Sequence, residues 1–235
     1  MRSGAMPTSR TAAPVAAIRT ILFDLDGTLL DTAPDLAVAL NTVLRENRRD
    51  PLPLETIRPA VSHGGMALIR LGFGLDPSDP AIEPLRQRLL AVYRDNISAL
   101  TRPFPGMETL LEKLEARGLN WGVVTNKPAW LTDPLLQDLG LYARAACVVS
   151  GDTLSERKPH PAPMLHACTQ AGSEPGQCVY IGDARRDIEA GNNAGMHTLV
   201  ALFGYIREID APHSWGARDS IGTPCELLTW LDRNS

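Results

Sequence analysis

Phe23-Asp24-Leu25-Asp26-Gly27-Thr28 sets two carboxylates one residue apart, directly after a short apolar run. On a regular strand both would project alike. Gly27 lets the chain turn, so the two acids can take different jobs at one site. An acidic turn that only solvates a strand end has the same composition. Other strand ends add to the pattern. Val123-Val124-Thr125-Asn126-Lys127 brings a hydroxyl and an amide to the end of a second apolar run. Gly182-Asp183-Ala184-Arg185-Arg186-Asp187 follows another, and Lys158 stands among prolines in Glu156-Arg157-Lys158-Pro159-His160-Pro161. Taken singly, Asp183 and Asp187 read as caps of a starting helix and Lys158 as a solvated charge. Four separate strand ends delivering polar groups to one sheet edge outweigh those separate readings, because ligands of open parallel sheets bind just beyond the carboxyl ends of the strands.

Positioning these residues requires strands at Thr20–Asp24, Asn120–Thr125, Cys147–Ser150, Cys178–Ile181 and Thr198–Leu202, several of them almost continuously apolar, as expected for strands covered on both faces. Helical spacing over Met107–Arg117 and Pro161–Ala171, each stopped by a glycine, supplies the crossovers of a parallel sheet. About 95 residues separate the first strand from the second, too many for a structureless loop. Within them Leu36, Leu40, Val43 and Leu44 form one stripe, and Ile82, Leu85, Leu89, Val92 and Tyr93 another. The fold class is therefore α/β: a Rossmann-like parallel five-stranded core sheet with a helical cap inserted after the first strand. Residues 18–33 and 101–235 form the core, 34–100 the cap, and 1–17 a disordered N-terminal tail.

Composition narrows the function. The 235 residues carry 23 Lys+Arg against 27 Asp+Glu, a net charge of -4, which argues against a chain built to neutralise nucleic-acid phosphates. No apolar stretch approaches the roughly 18 residues of a membrane helix, and the first residues lack the apolar core of a secretory signal. The four cysteines show no CxxC spacing, so buried reduced thiols and a cytoplasmic location are expected, with neither a nucleic-acid nor a membrane partner.

Asp24-x-Asp26-Gly27-Thr28, then Thr125, Lys158 and Asp183-x-x-x-Asp187, resembles the four ordered motifs of the haloacid dehalogenase superfamily, and the helical insertion looks like that superfamily's cap. Asp31-Thr32-Ala33-Pro34-Asp35, Val124-Thr125-Asn126-Lys127-Pro128 and Lys158-Pro159-His160-Pro161 are similar to its phosphoglycolate phosphatase branch. The stretch from Arg157 to Pro163, Arg186 to Gly191, Gly204-Tyr205-Ile206 and Trp215-Gly216-Ala217 resemble the N-acetylmuramic acid 6-phosphate phosphatases within that branch. The resemblance implies that Asp24 is the nucleophile that becomes an aspartyl-phosphate and Asp26 the acid/base. It implies that Mg2+ is held by the Asp24 carboxylate, the Asp26 backbone carbonyl and Asp183, with Asp187 ligating or supporting, and that Thr125, Asn126 and Lys158 hold the phosphoryl group. The implied reaction is hydrolysis of a small acidic phosphomonoester, 2-phosphoglycolate or, as the alternative, N-acetylmuramate 6-phosphate. A sugar phosphomutase is the more distant reading; a dehalogenase would not need the second aspartate or the metal acids, and a phospho-accepting signalling module would leave the cap unexplained.

Charge supports a metal in its own right. Four aspartates face Lys158 alone in this count, and two unit charges 4 Å apart repel by roughly 4 kcal/mol at an effective dielectric of 20, so a dianionic ester needs a hard cation beside it. With no His/Cys cluster, Mg2+ fits better than zinc. In the cap, Ser62-His63-Gly64-Gly65 flanked by Arg58 and Arg70 reads as a turn facing the substrate, with Arg58, His63, Gly64 and Arg70 as specificity candidates for a phosphorylated carboxylic acid or amino-sugar acid. A solvated face or helix junction would look the same. Oligomeric state leaves no mark in the sequence.

Overall fold

The computed structural model describes residues 17–234. The tail expected over 1–17 lies outside them except for its last residue. A parallel sheet forms the centre, built from β1 (Thr20–Phe23), β4 (Asn120–Val124), β5 (Cys147–Val149), β6 (Cys178–Gly182), β7 (His197–Ala201) and β8 (Asp219–Ile221) in the order β5-β4-β1-β6-β7-β8. The sheet has one strand more than the five expected. Asp219-Ser220-Ile221 is an edge strand with only Ile221 buried, so it carries no apolar run to announce it. By contrast β1 and β6 are buried at every residue. Burial on both faces leaves no polar face to alternate, which is why their sequences read as unbroken apolar runs.

Helices α5 (Met107–Ala116), α6 (Ala129–Asp138), α7 (Ala162–Ala171), α8 (Arg185–Ala194) and α9 (Glu226–Asn234) connect or follow the strands. The glycines expected to stop two of them do so: Gly118 (φ 69°) follows α5 and Gly172 (φ 64°) follows α7, both in the left-handed region that spares glycine a steric cost. Between the first two sheet strands the chain leaves through β2 (Leu30–Asp31) and returns through β3 (Arg102–Pro103), paired antiparallel. Between them lie α1 (Ala33–Glu46), the single turn α2 (Leu54–Ile57), α3 (Gly64–Phe73) and α4 (Ile82–Asp95), with α1 and α3 both packed on α4.

The apolar stripes read in α1 and α4 are buried at Leu36, Leu40, Val43, Leu44, Ile82, Leu89, Val92 and Tyr93; Leu85 is only partly covered. One continuous apolar cluster runs from Ile21 and Phe23 in the sheet through Leu29 and Leu36 to Leu89 and Tyr93. The two chain passages are fastened by Asp35, a buried carboxylate near the start of α1. It accepts hydrogen bonds from the Leu100 and Thr101 N–H groups and from the Thr101 hydroxyl, at 2.7–3.0 Å. Hydrogen bonds to a buried charge are worth more than neutral ones, so the exit and return of the insertion are held as a unit. The cysteines are free, and Cys147, Cys168 and Cys178 are buried behind the sheet. Among the described residues no helix is long and apolar enough to cross a membrane.

Candidate active site

In the strand order, the chain proceeds from β1 outward through β4 and β5, then crosses to the other side of β1 for β6. The reversal falls between β1 and β6, the crevice in which doubly wound sheets bind ligands. Asp24 follows β1 and Asp183 follows β6, and the ladder holds them level: Phe23 pairs with Ile181, and the Asp24 N–H donates to the Ile181 carbonyl at 2.9 Å. Gly27 turns the first loop at φ 84°, and a Cβ there would collide with the Asp183 carboxylate, so glycine is required both for the backbone angle and for the close approach.

Carboxylate oxygens of Asp24, Asp183 and Asp187 lie within 4.8 Å of one another, and all three residues are buried. Lys158 sits among them with a side chain 1% exposed, its ammonium 2.8 Å from Asp24 Oδ1, 2.8 Å from Asp187 Oδ1, 2.8 Å from the Tyr180 hydroxyl and 2.9 Å from the Val124 carbonyl. Burial works against a charge on Asp24, but Lys158, then Arg186, together with hydrogen bonds from Lys158 and the Leu25 N–H, hold its carboxyl below the ordinary value. Asp183 goes the other way. Burial first, then the charges of Asp24 and Asp187, push it up to about 7. Its Oδ2 accepts from Ser62 Oγ at 2.7 Å and the Tyr205 N–H at 2.9 Å, whereas its buried Oδ1 has no hydrogen-bond partner among the described residues. Asp187 takes both readings open to it: Oδ2 accepts the Ala184 N–H at the start of α8, as a helix cap, while Oδ1 faces Lys158.

These residues fit a divalent cation. An unpartnered buried carboxylate oxygen, beside two further acids and a proton affinity raised by them, is an oxygen-only donor set of the kind hard cations take. The charge count made from the sequence needs correcting, however. Lys127 and Arg186 are also present. The Lys127 ammonium lies 2.8 Å from Asp26 Oδ1, and the Arg186 guanidinium 3.9 Å from Asp24 Oδ2. Neither is visible as a site charge in the sequence, because a charged side chain beside a motif gives no sign of which partner it will find. The case for a cation therefore stands on the cluster and its orphaned oxygen rather than on a gross excess of negative charge.

Asp26 is bonded apart from this cluster. Its Oδ1 accepts from the Thr32 hydroxyl at 2.6 Å and from Lys127 at 2.8 Å, and the Lys127 ammonium lies 4.6 Å from the centre of the Tyr93 ring of α4. Thr125 is buried at the end of β4, its hydroxyl accepting the Lys127 N–H at 3.1 Å. Asn126, expected to donate to a phosphoryl group, lines the cavity beside Thr125 and also uses its amide on the Lys158 backbone: Nδ2 donates to the Lys158 carbonyl at 3.0 Å and Oδ1 accepts the Lys158 N–H at 3.1 Å. It holds the loop that aims Lys158.

The specificity candidates divide. His63 and Gly64 line the cavity between the insertion and the sheet edge, together with Asp24, Asp26 and Thr125. Burial, then Arg186 and Arg207, keep the His63 imidazole below its usual value. Arg58 does not line that cavity; its guanidinium pairs with Asp31 at 2.7 Å and lies over the Tyr205 ring. Arg70, on α3, does not line it either. The insertion touches the acidic cluster instead through Ser62, whose hydroxyl donates to Asp183 and whose carbonyl accepts from Arg186 at 2.7 Å. Tyr205, from the loop after β7, closes the other side: its hydroxyl donates to Asp31 Oδ1 at 2.7 Å and accepts the Ala33 N–H at 2.9 Å.

A parallel sheet whose carboxyl edge gathers three aspartates around a lysine, beneath helices inserted after the first strand, is the arrangement of the haloacid dehalogenase-like hydrolases. The chain belongs to that family, whose model matches residues 21–201. Relatives carry two kinds of name. The chain is 41% identical over 216 residues to an N-acetylmuramic acid 6-phosphate phosphatase of Pseudomonas aeruginosa, covering 92% of this chain and 96% of the relative. It is 44% identical over 207 residues to a phosphoglycolate phosphatase of Xylella fastidiosa, covering 88% and 90%. Among solved structures, the crystal structure of a predicted phosphoglycolate phosphatase from Haemophilus somnus superposes with a TM-score of 0.79 at 26% identity, over 91% of this chain and 97% of that one.

Proposed function

We propose that the protein is a Mg2+-dependent phosphatase that hydrolyses a small acidic phosphomonoester through a phospho-aspartate, 2-phosphoglycolate or N-acetylmuramate 6-phosphate being the esters its relatives' names supply. The observation that carries the reading is the meeting of Asp24, Lys158, Asp183 and Asp187 at one edge of the sheet, with Asp26 held separately by Thr32 and Lys127. A carboxylate oxygen of Asp24 attacks phosphorus as the ester P–O bond breaks, and Asp26 delivers a proton to the departing alcohol oxygen. Water then attacks the phospho-aspartate, Asp26 takes its proton, and the Asp24 carboxylate is restored with release of inorganic phosphate. Lys158 and Thr125 supply donors to the equatorial oxygens, while Asn126 keeps Lys158 aimed. A cation held by Asp24, the Asp26 carbonyl and Asp183, with Asp187 behind them, would draw charge from the phosphoryl oxygens. The free, mostly buried cysteines are in keeping with a cytoplasmic enzyme.

Phosphate release from the two esters, with MgCl2 and again with EDTA, tests this. Turnover with magnesium that falls to background on chelation and returns on re-addition is the expected result; equal turnover under both conditions would remove the metal from the reading.

A second expectation follows from Asp183. Its folded value of about 7 lies above the ordinary 3.8, so the folded chain binds this proton more tightly than the unfolded one. Stability from that proton is fully present below about pH 4 and is lost as pH rises through about 7. A cation must displace the same proton, so the rise in melting temperature given by a fixed magnesium concentration should be larger at about pH 8 than at about pH 6. A rise of equal size at both would show that the cation displaces no proton from Asp183 in this range.

A further inference from the structure

The cavity between the inserted helices and the sheet edge measures about 1050 Å³. Pockets of roughly 300–1,000 Å³ enclose ligands the size of a typical drug, whereas 2-phosphoglycolate has only a methylene and a carboxylate beyond its phosphate. The volume does not come from an insertion standing clear of the sheet. Ser62 is already bonded to Asp183 and Arg186, and Tyr93 already covers Lys127.

The wall of this cavity is mostly spoken for. Glu83 is bonded to Arg86 and Gln87, Lys127 to Asp26, and Arg186 to Ser62. Two guanidinium groups differ. Arg94 of α4 and Arg157 of the loop after β5 line the cavity with no hydrogen bond or ion pair to another side chain among the described residues. Two large apolar side chains lining the same cavity also stand open: Trp130 near the start of α6 is 48% exposed and Met66 of α3 47%. An indole left half wet on a cavity wall offers a flat apolar face beside polar groups, which suits a ring whose C–H face is apolar and whose rim is polar. An unpaired guanidinium suits a carboxylate, which it can meet with two parallel hydrogen bonds.

We propose that Trp130 and the pair Arg94 and Arg157 are specificity-determining residues for an ester of sugar-acid size, the ring lying against Trp130 and its carboxylate meeting the arginines. The inference rests on the phosphatase reading and narrows its substrate to a phosphorylated amino-sugar acid in place of a two-carbon acid.

The test is phosphate release by the full chain with Mg2+ from three esters: N-acetylmuramate 6-phosphate, N-acetylglucosamine 6-phosphate, which has the ring without the carboxylate, and 2-phosphoglycolate. Wild type should favour the muramate ester in kcat/KM. Trp130→Ala should lower both sugar esters relative to 2-phosphoglycolate by about tenfold, chiefly through KM, with Trp130→Phe restoring most of the loss. Arg94→Gln combined with Arg157→Gln should lower the muramate ester relative to the glucosamine ester by a similar factor. Melting curves of each variant keep folding losses separate, and Tyr142→Ala, an exposed aromatic outside the cavity, should leave the ratios where they were. Release with ratios unmoved in the variants, or a wild type that prefers 2-phosphoglycolate, overturns this inference while the phosphatase reading survives. A wild type that releases phosphate from none of the three overturns both.

Discussion

Asp24→Asn is expected to lower kcat for phosphate release by about 10^4-fold or more, on the scale seen when a covalent nucleophile is removed from other hydrolases. The amide is nearly isosteric, so the cost is chemical rather than steric. Oδ1 of Asp24 already accepts the Leu25 N–H at 2.7 Å and the Lys158 ammonium at 2.8 Å, which leaves Oδ2, 3.9 Å from Arg186, as the freer oxygen for attack. An amide in that place carries no charge to attack phosphorus. The fold should hold, with a metal-free melting temperature below wild type near neutral pH, because Lys158 loses one of its two carboxylate partners and the ionised form of Asp24 is the one the fold favours. Stabilisation by magnesium should shrink in the same variant. Asp26→Asn makes the comparison sharper: loss of a proton donor costs about 10^2–10^4, and Asp26 lies outside the three-acid cluster, so stabilisation by magnesium should largely persist. Near-normal turnover by Asp24→Asn would refute the nucleophile assignment.

What the sequence reveals of this arrangement follows from what each residue needs. β1 and β6 are legible because strands buried on both faces must be apolar throughout, and their carboxyl ends then mark where Asp24 and Asp183 stand. α1 and α4 are legible because helices resting on an apolar layer repeat every three to four residues. Charged side chains are another matter. Arg58 looks like a substrate reader by its place next to a glycine turn, yet its partner is Asp31, 27 residues earlier. Lys127 and Arg186 look like motif neighbours, yet they meet Asp26 and Ser62 across the fold. Long flexible side chains reach whichever opposite charge the tertiary structure brings near, and nothing in local spacing encodes that choice. Trp130 is hidden for a related reason: a tryptophan in sequence announces burial, and only the surface reveals one left half open.

Lys158 should prove the most costly side chain in the site to remove. Its ammonium is the charge between Asp24 and Asp187, and it also donates to the Val124 carbonyl and the Tyr180 hydroxyl. Lys158→Met keeps most of the aliphatic stem but strands two buried carboxylates facing each other, and breaking a buried pair in this way costs about 3–5 kcal/mol. Phosphate release should fall as well, by about 10^2–10^3 or more, since a donor to the transferring group is lost. Two further readouts separate the electrostatic account from simple loss of packing. Asp187 already has its carboxyl raised by burial and by Asp24, and without the lysine both acids will hold protons more tightly, so the stability deficit should narrow as the solution is made more acidic. Magnesium, which brings positive charge to the same oxygens, should narrow it too. The double variant Lys158→Met with Asp24→Asn should be less destabilised than Lys158→Met alone, because it removes one of the stranded charges. A deficit that is the same with and without magnesium, at every pH and in both variants would mean that Lys158 supports the fold by filling space, and the neutralising role given to its ammonium would have to be abandoned.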